Sequence, residues 1–234
     1  MQDRVYLLSL EDWQICTAQD AAADEHLEAL LQRACNKLDG ERRKKAELIR
    51  KGKKKLESIG AGLLLQKAVQ DALEEKNISF CKVTIEELLE QIDSPLLLEY
   101  TYGAAGKPYL KNYPFYFSIS HSGNYVLCVL SEQEIGADIQ LRTPKVQEAL
   151  LQRFFSEEEI AYWKQCATEE DKDTFFYRMW CRKEAYGKLT GEGIIKAVGI
   201  NMLLPEPVVE GTQIVISEYF LENYQIAICK QKLQ

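Results

Sequence analysis

The amino-acid sequence predicts a mixed α/β fold made of two similar halves. A length of 234 residues fits one large domain or two small ones. Short apolar runs typical of strands flank longer segments with apolar residues at helical spacing. The order strand, several helices, hairpin occurs twice, and the repeats meet near Ser131–Glu134. We therefore assign residues 1–133 to an N-terminal half and 134–234 to a C-terminal half, packed into one α/β unit, and expect any functional site where they meet.

The N-terminal half begins with a predicted strand at Arg4–Leu10, followed by helices. Apolar residues at helical spacing follow position 20, and the basic stretch 41–55 is predicted to be helical or helix-loop. Ser58 is a candidate cap for a helix reaching Leu73. Thr84-Ile-Glu-Glu has the pattern of a capping box and predicts one more short helix.

The strands of this half are predicted nearer its end. Leu97–Tyr102 precedes a loop, AAGKPYL, and two apolar runs follow at Phe115–Ile119 and Tyr125–Leu130. Because the intervening residues SHSGN favour turns, these two runs predict a hairpin whose turn contains Ser120 and His121.

The C-terminal half repeats this order. A short strand at Ile135–Ile139 is expected to end near Asp138, and helices are predicted over roughly 145–189, with a capping box at Ser156. A closing hairpin is predicted from Gln213–Phe220 and Tyr224–Cys229.

Composition excludes several classes of protein. No apolar run approaches the roughly 18–20 residues of a membrane span, and the N-terminus lacks the pattern of an export signal. Seven dispersed cysteines form no CxxC pair and accompany only two histidines. This pattern favours a reducing cytoplasm over disulfides or a histidine-rich metal site.

Charge is unevenly distributed along the chain. Residues 37–55 contain ten Lys or Arg against three acids, a net of +7, which leaves −14 on the rest of a chain whose net charge is −7. Such a pattern indicates a site that binds an anion rather than a surface that binds nucleic acid. An ordinary solvated helix face remains the alternative for the basic run.

Three patches carry residues suited to chemistry. They are Ser118–Gly123, Ile135–Gln140 and the predicted helix Trp180–Lys188, on which Trp180, Glu184 and Lys188 lie broadly on one face. Each has a plain structural alternative. Glu184 and Lys188 could form an ordinary exposed ion pair, Asp138 could simply end a strand, and His121 could be a loop histidine with its hydrogen bonds satisfied. The sequence has no P-loop, Rossmann, HExxH or GxSxG motif.

Taken together and in order, these motifs resemble the surfactin-type 4′-phosphopantetheinyl transferases. The matching residues are Gly106-Lys107-Pro108, Ser120-His121-Ser122, Gly136-Ala-Asp138-Ile-Gln140, Arg153-Phe-Phe-Ser-Glu-Glu-Glu159 and Trp180-Cys-Arg-Lys183-Glu184-Ala-Tyr-Gly-Lys188. The resemblance is strong from about 103 to 191 and weakens before residue 60. It implies an α/β fold of two similar halves with pseudo-twofold symmetry. It also implies an enzyme of the holo-acyl-carrier-protein synthase type, which moves phosphopantetheine from coenzyme A to a serine of an acyl- or peptidyl-carrier protein. Because both halves lie in one chain, we expect a monomer.

The resemblance also implies roles for individual residues. Asp138, Gln140 and Glu184 would bind Mg²⁺, Glu184 would accept the serine proton, and Lys188 would stabilise charge on the phosphates. Contacts to coenzyme A would come from the following residues: Arg42 and Lys45 at the 3′-phosphate, Lys107 at the adenine end, Ser120 and His121 at the pyrophosphate, and Pro108, Lys183 and Lys188 elsewhere on the molecule. Lys54, Lys55 and Ser58 are further candidates at the 3′-phosphate.

One position departs from the family pattern. Residue 140 is Gln where the bacterial members usually have Glu. The amide oxygen can still coordinate a metal but adds no negative charge. A non-catalytic module that binds coenzyme A or a carrier protein is therefore the alternative to an active enzyme, and a nucleic-acid-binding protein is a weaker third, disfavoured by the −14 outside the basic run.

Overall fold

A computed structural model describes residues 3–11, 21–50, 52–144 and 148–232. Cys16, Lys51 and residues 145–147, where the sequence analysis begins the C-terminal helices, lie outside the described residues. The mixed α/β class is confirmed, and none of the helices within the described ranges is long and apolar enough to cross a bilayer. The six cysteines within these ranges are free thiols.

The helices and strands are numbered here in chain order. The helices are α1 (Ala21–Asn36), α2 (Gly40–Leu48), α3 (Lys53–Leu73), α4 (Ile85–Gln91), α5 (Glu148–Phe154), α6 (Glu157–Gln165) and α7 (Glu169–Thr190), with a 3₁₀ turn at Ile194–Ala197. The strands are β1 (Arg4–Ser9), β2 (Phe80–Val83), β3 (Tyr100–Tyr102), β4 (Pro108–Leu110), β5 (Tyr116–Ser122), β6 (Tyr125–Ser131), β7 (Ile135–Leu141), β8 (Val208–Val209), β9 (Thr212–Leu221) and β10 (Tyr224–Gln231).

Contacts divide the chain into two compact units. Unit 1 comprises Met1–Thr101 and Tyr109–Glu132, and unit 2 comprises Tyr102–Pro108 and Gln133–Gln234. The segment Tyr102–Pro108, which the sequence analysis assigned to the N-terminal half, is thus grouped with the C-terminal elements.

Unit 1 is a four-stranded sheet covered by helix α3. Its strand order is β2-β1-β6-β5, in which β1 runs antiparallel to β6 and parallel to β2. Helix α3 is buried along most of its length because its apolar residues surround it rather than forming one stripe. The core of this unit lies between α3 and the strands.

Unit 2 repeats the same connection around helix α7. Its sheet has the order β7-β10-β9-β8, so β7 pairs with the second strand of the closing hairpin, as β1 does in unit 1. Three capping boxes begin helices as the sequence pattern requires: Thr84 for α4, Ser156 for α6 and Thr168 for α7. The first two were predicted and are confirmed.

Four local predictions need correction. Ser58 is not a cap, because α3 begins one and a half turns earlier with Gly52 as its N-cap residue. The turn between β5 and β6 is only Gly123-Asn124, so Ser120 and His121 belong to strand β5. Strand β7 continues to Leu141, which places Asp138 in mid-strand. The loop after Tyr102 is shorter than predicted, because Pro108–Leu110 forms β4.

Candidate functional site

Strand β7 and helix α7 approach each other unusually closely in unit 2. A Cβ atom on Gly136 would lie 2.1 Å from the carbonyl oxygen of Ala185 and 2.2 Å from the amide nitrogen of Leu189. Only glycine permits this separation of backbones. Since residues i and i+2 of a strand share a face, Asp138 and Gln140 also face the helix that carries Glu184 and Lys188.

Asp138 is the centre of this polar group. Its side chain is 3% exposed, and its Oδ1 lies 2.7 Å from Nζ of Lys188, whose side chain is 30% exposed. Its Oδ2 accepts a hydrogen bond of 2.8 Å from Nε2 of Gln140. The thiol of Cys181, one turn before Glu184 on α7, donates to the backbone oxygen of Asp138. The buried carboxylate is therefore held by a cation and an amide rather than left unpaired.

Glu184 interacts electrostatically with the Asp138 carboxylate. Burial raises the pKa of Glu184, the negative charge of Asp138 raises it further, and Lys188 lowers it. Two carboxylates that repel each other at a partly buried position are the donors that a divalent cation would stabilise, and Gln140 offers an amide oxygen. These three residues fit Mg²⁺ by donor chemistry, although the described residues contain no group of three or more His, Cys, Asp or Glu arranged for a metal.

Lys183 is not a ligand-binding residue but a core residue of unit 2. Its ammonium lies 2.9 Å from Oε2 of Glu159, and both side chains are 0% exposed. It also donates to the carbonyl oxygens of Ala197 and Ile200, which uses all three of its donors. Burial lowers the pKa of Lys183, while Glu159 opposes that shift. The expected contact with coenzyme A is therefore corrected, because this charge is already neutralised and inaccessible.

No sequence pattern indicated Glu159 as the partner of Lys183. Its carboxylate completes the capping box by accepting the amide of Ser156 and also accepts the amide of Met202. The capping-box pattern indicated that the Glu159 side chain folds back on the backbone, but it indicated an exposed side chain rather than a buried one. Its burial depends on the loop after α7, which no local pattern predicts.

Lys107 also has its ammonium engaged within unit 2. Nζ contacts Oε2 of Glu134 at 2.5 Å and donates to the carbonyl oxygens of Ile135 and Leu189, and the side chain is 9% exposed. The stem packs on Gly191, the left-handed residue that ends α7. Lys107 thus fixes the C-terminal end of the helix carrying Lys188. Pro108 begins β4 and is half-buried.

Arg42 and Lys45 lie on helix α2 of unit 1. Asp39 caps this helix by accepting the amides of Glu41 and Arg42, and the guanidinium of Arg42 lies 5.6 Å from the centre of the Tyr100 ring. A spacing of three residues puts Arg42 and Lys45 on neighbouring surface of one helix. Arg42 is half-buried and Lys45 exposed, so both remain available to an anion.

Ser120 and His121 are adjacent on β5, and their side chains point to opposite faces of the sheet. Ser120 is buried, whereas the side chain of His121 is 53% exposed on the face shared with Phe117 and Ile119. The expectation that both side chains bind one pyrophosphate assumed a turn and does not match this alternation. Only the imidazole of this pair is exposed to a ligand.

Comparison with known proteins places this site in a family context. A family model for the 4′-phosphopantetheinyl transferase superfamily matches residues 134–230, the stretch that contains Asp138, Gln140, Glu184 and Lys188. The putative 4′-phosphopantetheinyl transferase slr0495 of Synechocystis sp. is 40% identical over 126 residues, which are 51% of this chain and 50% of that protein.

Two further relatives differ in how much of their length is matched. The 4′-phosphopantetheinyl transferase Sfp of Bacillus subtilis is 38% identical over 91 residues, 38% of this chain and 39% of Sfp. The 4′-phosphopantetheinyl transferase AcpT of Salmonella typhimurium is 32% identical over 145 residues, 61% of this chain and 71% of AcpT. The chain spans about half the length of the first of these curated relatives.

Proposed function

We propose that this chain, which belongs to the 4′-phosphopantetheinyl transferase superfamily, transfers 4′-phosphopantetheine from coenzyme A to a serine of an apo carrier protein. One observation carries the proposal: a buried carboxylate, Asp138, lies 2.7 Å from Lys188 and beside Glu184, whose pKa is raised by burial and by Asp138. A carboxyl group with a raised pKa, beside a second carboxylate and a cation, is typical of a site that handles charged substrates.

The reaction requires a base and a stabilised leaving group. The serine oxygen forms a bond to the phosphorus that carries pantetheine, and the bond from that phosphorus to the bridging oxygen breaks. The electron pair leaves with 3′,5′-ADP, and the serine proton goes to a base. Glu184 is our candidate base, because it is a half-buried carboxylate in the same polar group as Asp138 and Lys188. Lys188 is our candidate for stabilising the negative charge that develops on the leaving phosphate.

Asp138, Glu184 and Gln140 would hold a Mg²⁺ ion. When bound, this ion would neutralise charge on the phosphates of coenzyme A. Gln140 donates to Asp138 through its amide nitrogen, which leaves its amide oxygen available as the neutral ligand. The two carboxylates supply the negative charge of the metal site.

We assign the other contacts to coenzyme A as follows. Arg42 and Lys45 bind the 3′-phosphate, supported by their positions on one helix within the most basic segment of the chain. His121 binds the pyrophosphate, supported by its exposed imidazole. Lys107 and Pro108 contact the adenine end, and we expect this through the backbone and the proline ring because the Lys107 ammonium is engaged elsewhere.

The carrier protein and the setting also belong to the proposal. We propose an acyl- or peptidyl-carrier protein of lipid or secondary-metabolite synthesis as the acceptor, and a monomer working in the cytoplasm. The free thiols of the described residues support a reducing compartment. The repeated topology supports a monomer, because two similar units are already joined in one chain.

Gln140 favours a second candidate, a module that binds coenzyme A or a carrier protein without turnover. The two candidates are distinguished by incubating the chain with coenzyme A, apo carrier protein and Mg²⁺ and measuring the released 3′,5′-ADP by chromatography. We expect release only when both substrates are present, and its loss in Glu184→Gln. Binding of coenzyme A by calorimetry without any release of 3′,5′-ADP would support the binding module instead.

A further inference from the structure

A carboxylate lies beneath the exposed histidine of unit 1. Oε2 of Glu57, on helix α3, is 3.5 Å from Nδ1 of His121, on strand β5. The Glu57 side chain is 12% exposed, whereas the His121 side chain is 53% exposed. Nothing in the motif pattern indicated this contact, because the two residues are 64 positions apart in the sequence.

Packing does not explain why a charged residue stands at position 57. It lies between Leu56 and Ile59 on a helix whose neighbouring residues are buried in the core. An acid at such a position loses solvation and is rarely kept unless it has a partner. Among the described residues, the close contact of this carboxylate is with the imidazole of His121.

The contact determines which ring nitrogen faces outward. With Nδ1 directed at Glu57, the other nitrogen, Nε2, is directed away from the carboxylate. A carboxylate that accepts Nδ1–H holds an imidazole in one orientation, as in other acid–histidine pairs. A protonated ring donates from Nε2 to an anion while Nδ1–H remains on the carboxylate.

We propose that Glu57 is a positioning residue for His121, which it orients so that Nε2 donates to a phosphate oxygen of coenzyme A. This rests on the proposed binding of coenzyme A by His121. Glu57 touches no substrate atom in this assignment and acts only through the imidazole.

The first test measures the imidazole directly and needs no substrate. Nitrogen-15 spectra of the full chain report which ring nitrogen carries the proton, and the chain has two histidines, so a His26→Gln variant assigns the signals. At a pH at which the ring carries one proton, we expect that proton on Nδ1 in the unchanged protein. The second proton, on Nε2, is the one that the doubly protonated ring would donate to a phosphate oxygen. In Glu57→Leu, which keeps the side-chain bulk without an acceptor, the single proton should move mainly to Nε2.

A matched control removes a different acid from the same unit. Glu47 pairs with Arg43 on the surface of helix α2, so Glu47→Leu should leave the His121 signals unchanged. Identical His121 spectra for the unchanged protein and Glu57→Leu would overturn the proposal.

The second test measures binding of coenzyme A by calorimetry. We expect Glu57→Leu to weaken binding about threefold to tenfold, and Glu57→Gln, which keeps an acceptor, to weaken it less. His121→Ala should weaken binding at least as much, and adding Glu57→Leu to His121→Ala should have little further effect. Full additivity of the two changes would overturn the link. If the unchanged protein did not bind coenzyme A, the proposed function would fail, and the spectra would still decide whether Glu57 orients His121.

Discussion

Removal of the Lys188 ammonium should tighten binding of a divalent cation while it slows turnover. Lys188 occupies one oxygen of Asp138, which we assign as a metal ligand. A divalent ion at this carboxylate must therefore displace or be repelled by the ammonium. Lys188→Met keeps most of the side-chain bulk and removes only the competing charge.

The size of the effect follows from the contact. At 2.7 Å and an effective dielectric constant of about 20, the gross attraction between the two charges is about 6 kcal/mol. Desolvation and side-chain entropy offset most of it, and hydrogen bonds to charged groups contribute about 1.5–3 kcal/mol net. Because Lys188 is 30% exposed, we take the lower end, which corresponds to a roughly tenfold tighter metal dissociation constant.

Mn²⁺ titration followed by electron paramagnetic resonance measures this constant without substrate. Lys196→Met is the matched control, because it also removes one positive charge from unit 2 but breaks contacts to Glu210 and Glu192. We expect less than a twofold change there. Turnover by Lys188→Met should fall by about 10²–10³-fold. Equal or weaker Mn²⁺ binding in Lys188→Met would refute the idea that the lysine and the metal share Asp138.

Three further outcomes follow from particular contacts. Gln140→Glu should tighten Mn²⁺ binding but lower the free energy of unfolding without metal, because the amide donor to Asp138 becomes a repelling charge. Urea denaturation measures the free energy of unfolding, and a metal-free variant more stable than the unchanged protein would contradict the prediction. Lys183→Met should cost about 3–5 kcal/mol of stability by leaving Glu159 buried and unpaired, with partial recovery when Glu159→Gln is added, and the folded protein should keep its affinity for coenzyme A. Burial raises the pKa of Glu218, but Arg182 and Arg178 lower it by more, so the ionised carboxylate stabilises the fold above the ordinary pKa of 4.5. Glu218→Gln should therefore lower the free energy of unfolding by about 2 kcal/mol at neutral pH, and by less as the pH falls below 4.5. A loss of stability that does not depend on pH would contradict this.

The sequence predicted most of the elements because their signals are local. The capping boxes at Thr84 and Ser156 each involve residues three apart, and the structure has both. The closing hairpin was predicted from two neighbouring strand-like runs, and its turn lies at Glu222-Asn223, with Glu222 in a left-handed conformation.

The errors arose where local preference and tertiary pairing disagree. SHSGN is rich in turn-forming residues, but pairing of β5 with β6 extends the strands until only two residues remain for the turn. Ser58 has the chemistry of a cap, but the basic residues before it continue the helix, because their long side chains favour helix and reach solvent.

The candidate site was predicted in part for the same reason. The spacing of Glu184 and Lys188 fixes their common face, and the strand pattern brings Asp138 and Gln140 together. The role of Gly136 depends on how closely a helix approaches the strand, which no spacing encodes. Lys183 lies next to Glu184 in the sequence, but the helix turns it toward Glu159 and into the core.

Intact mass spectrometry of an apo carrier protein tests the central claim most directly. The carrier is incubated with this chain, coenzyme A and Mg²⁺, beside a carrier whose acceptor serine is replaced by alanine and beside the Glu184→Gln enzyme. We predict a gain of one phosphopantetheine group by the unchanged carrier and enzyme, and no gain in either control. An unmodified carrier in the presence of bound coenzyme A, for both an acyl- and a peptidyl-carrier protein, would contradict the proposed transfer.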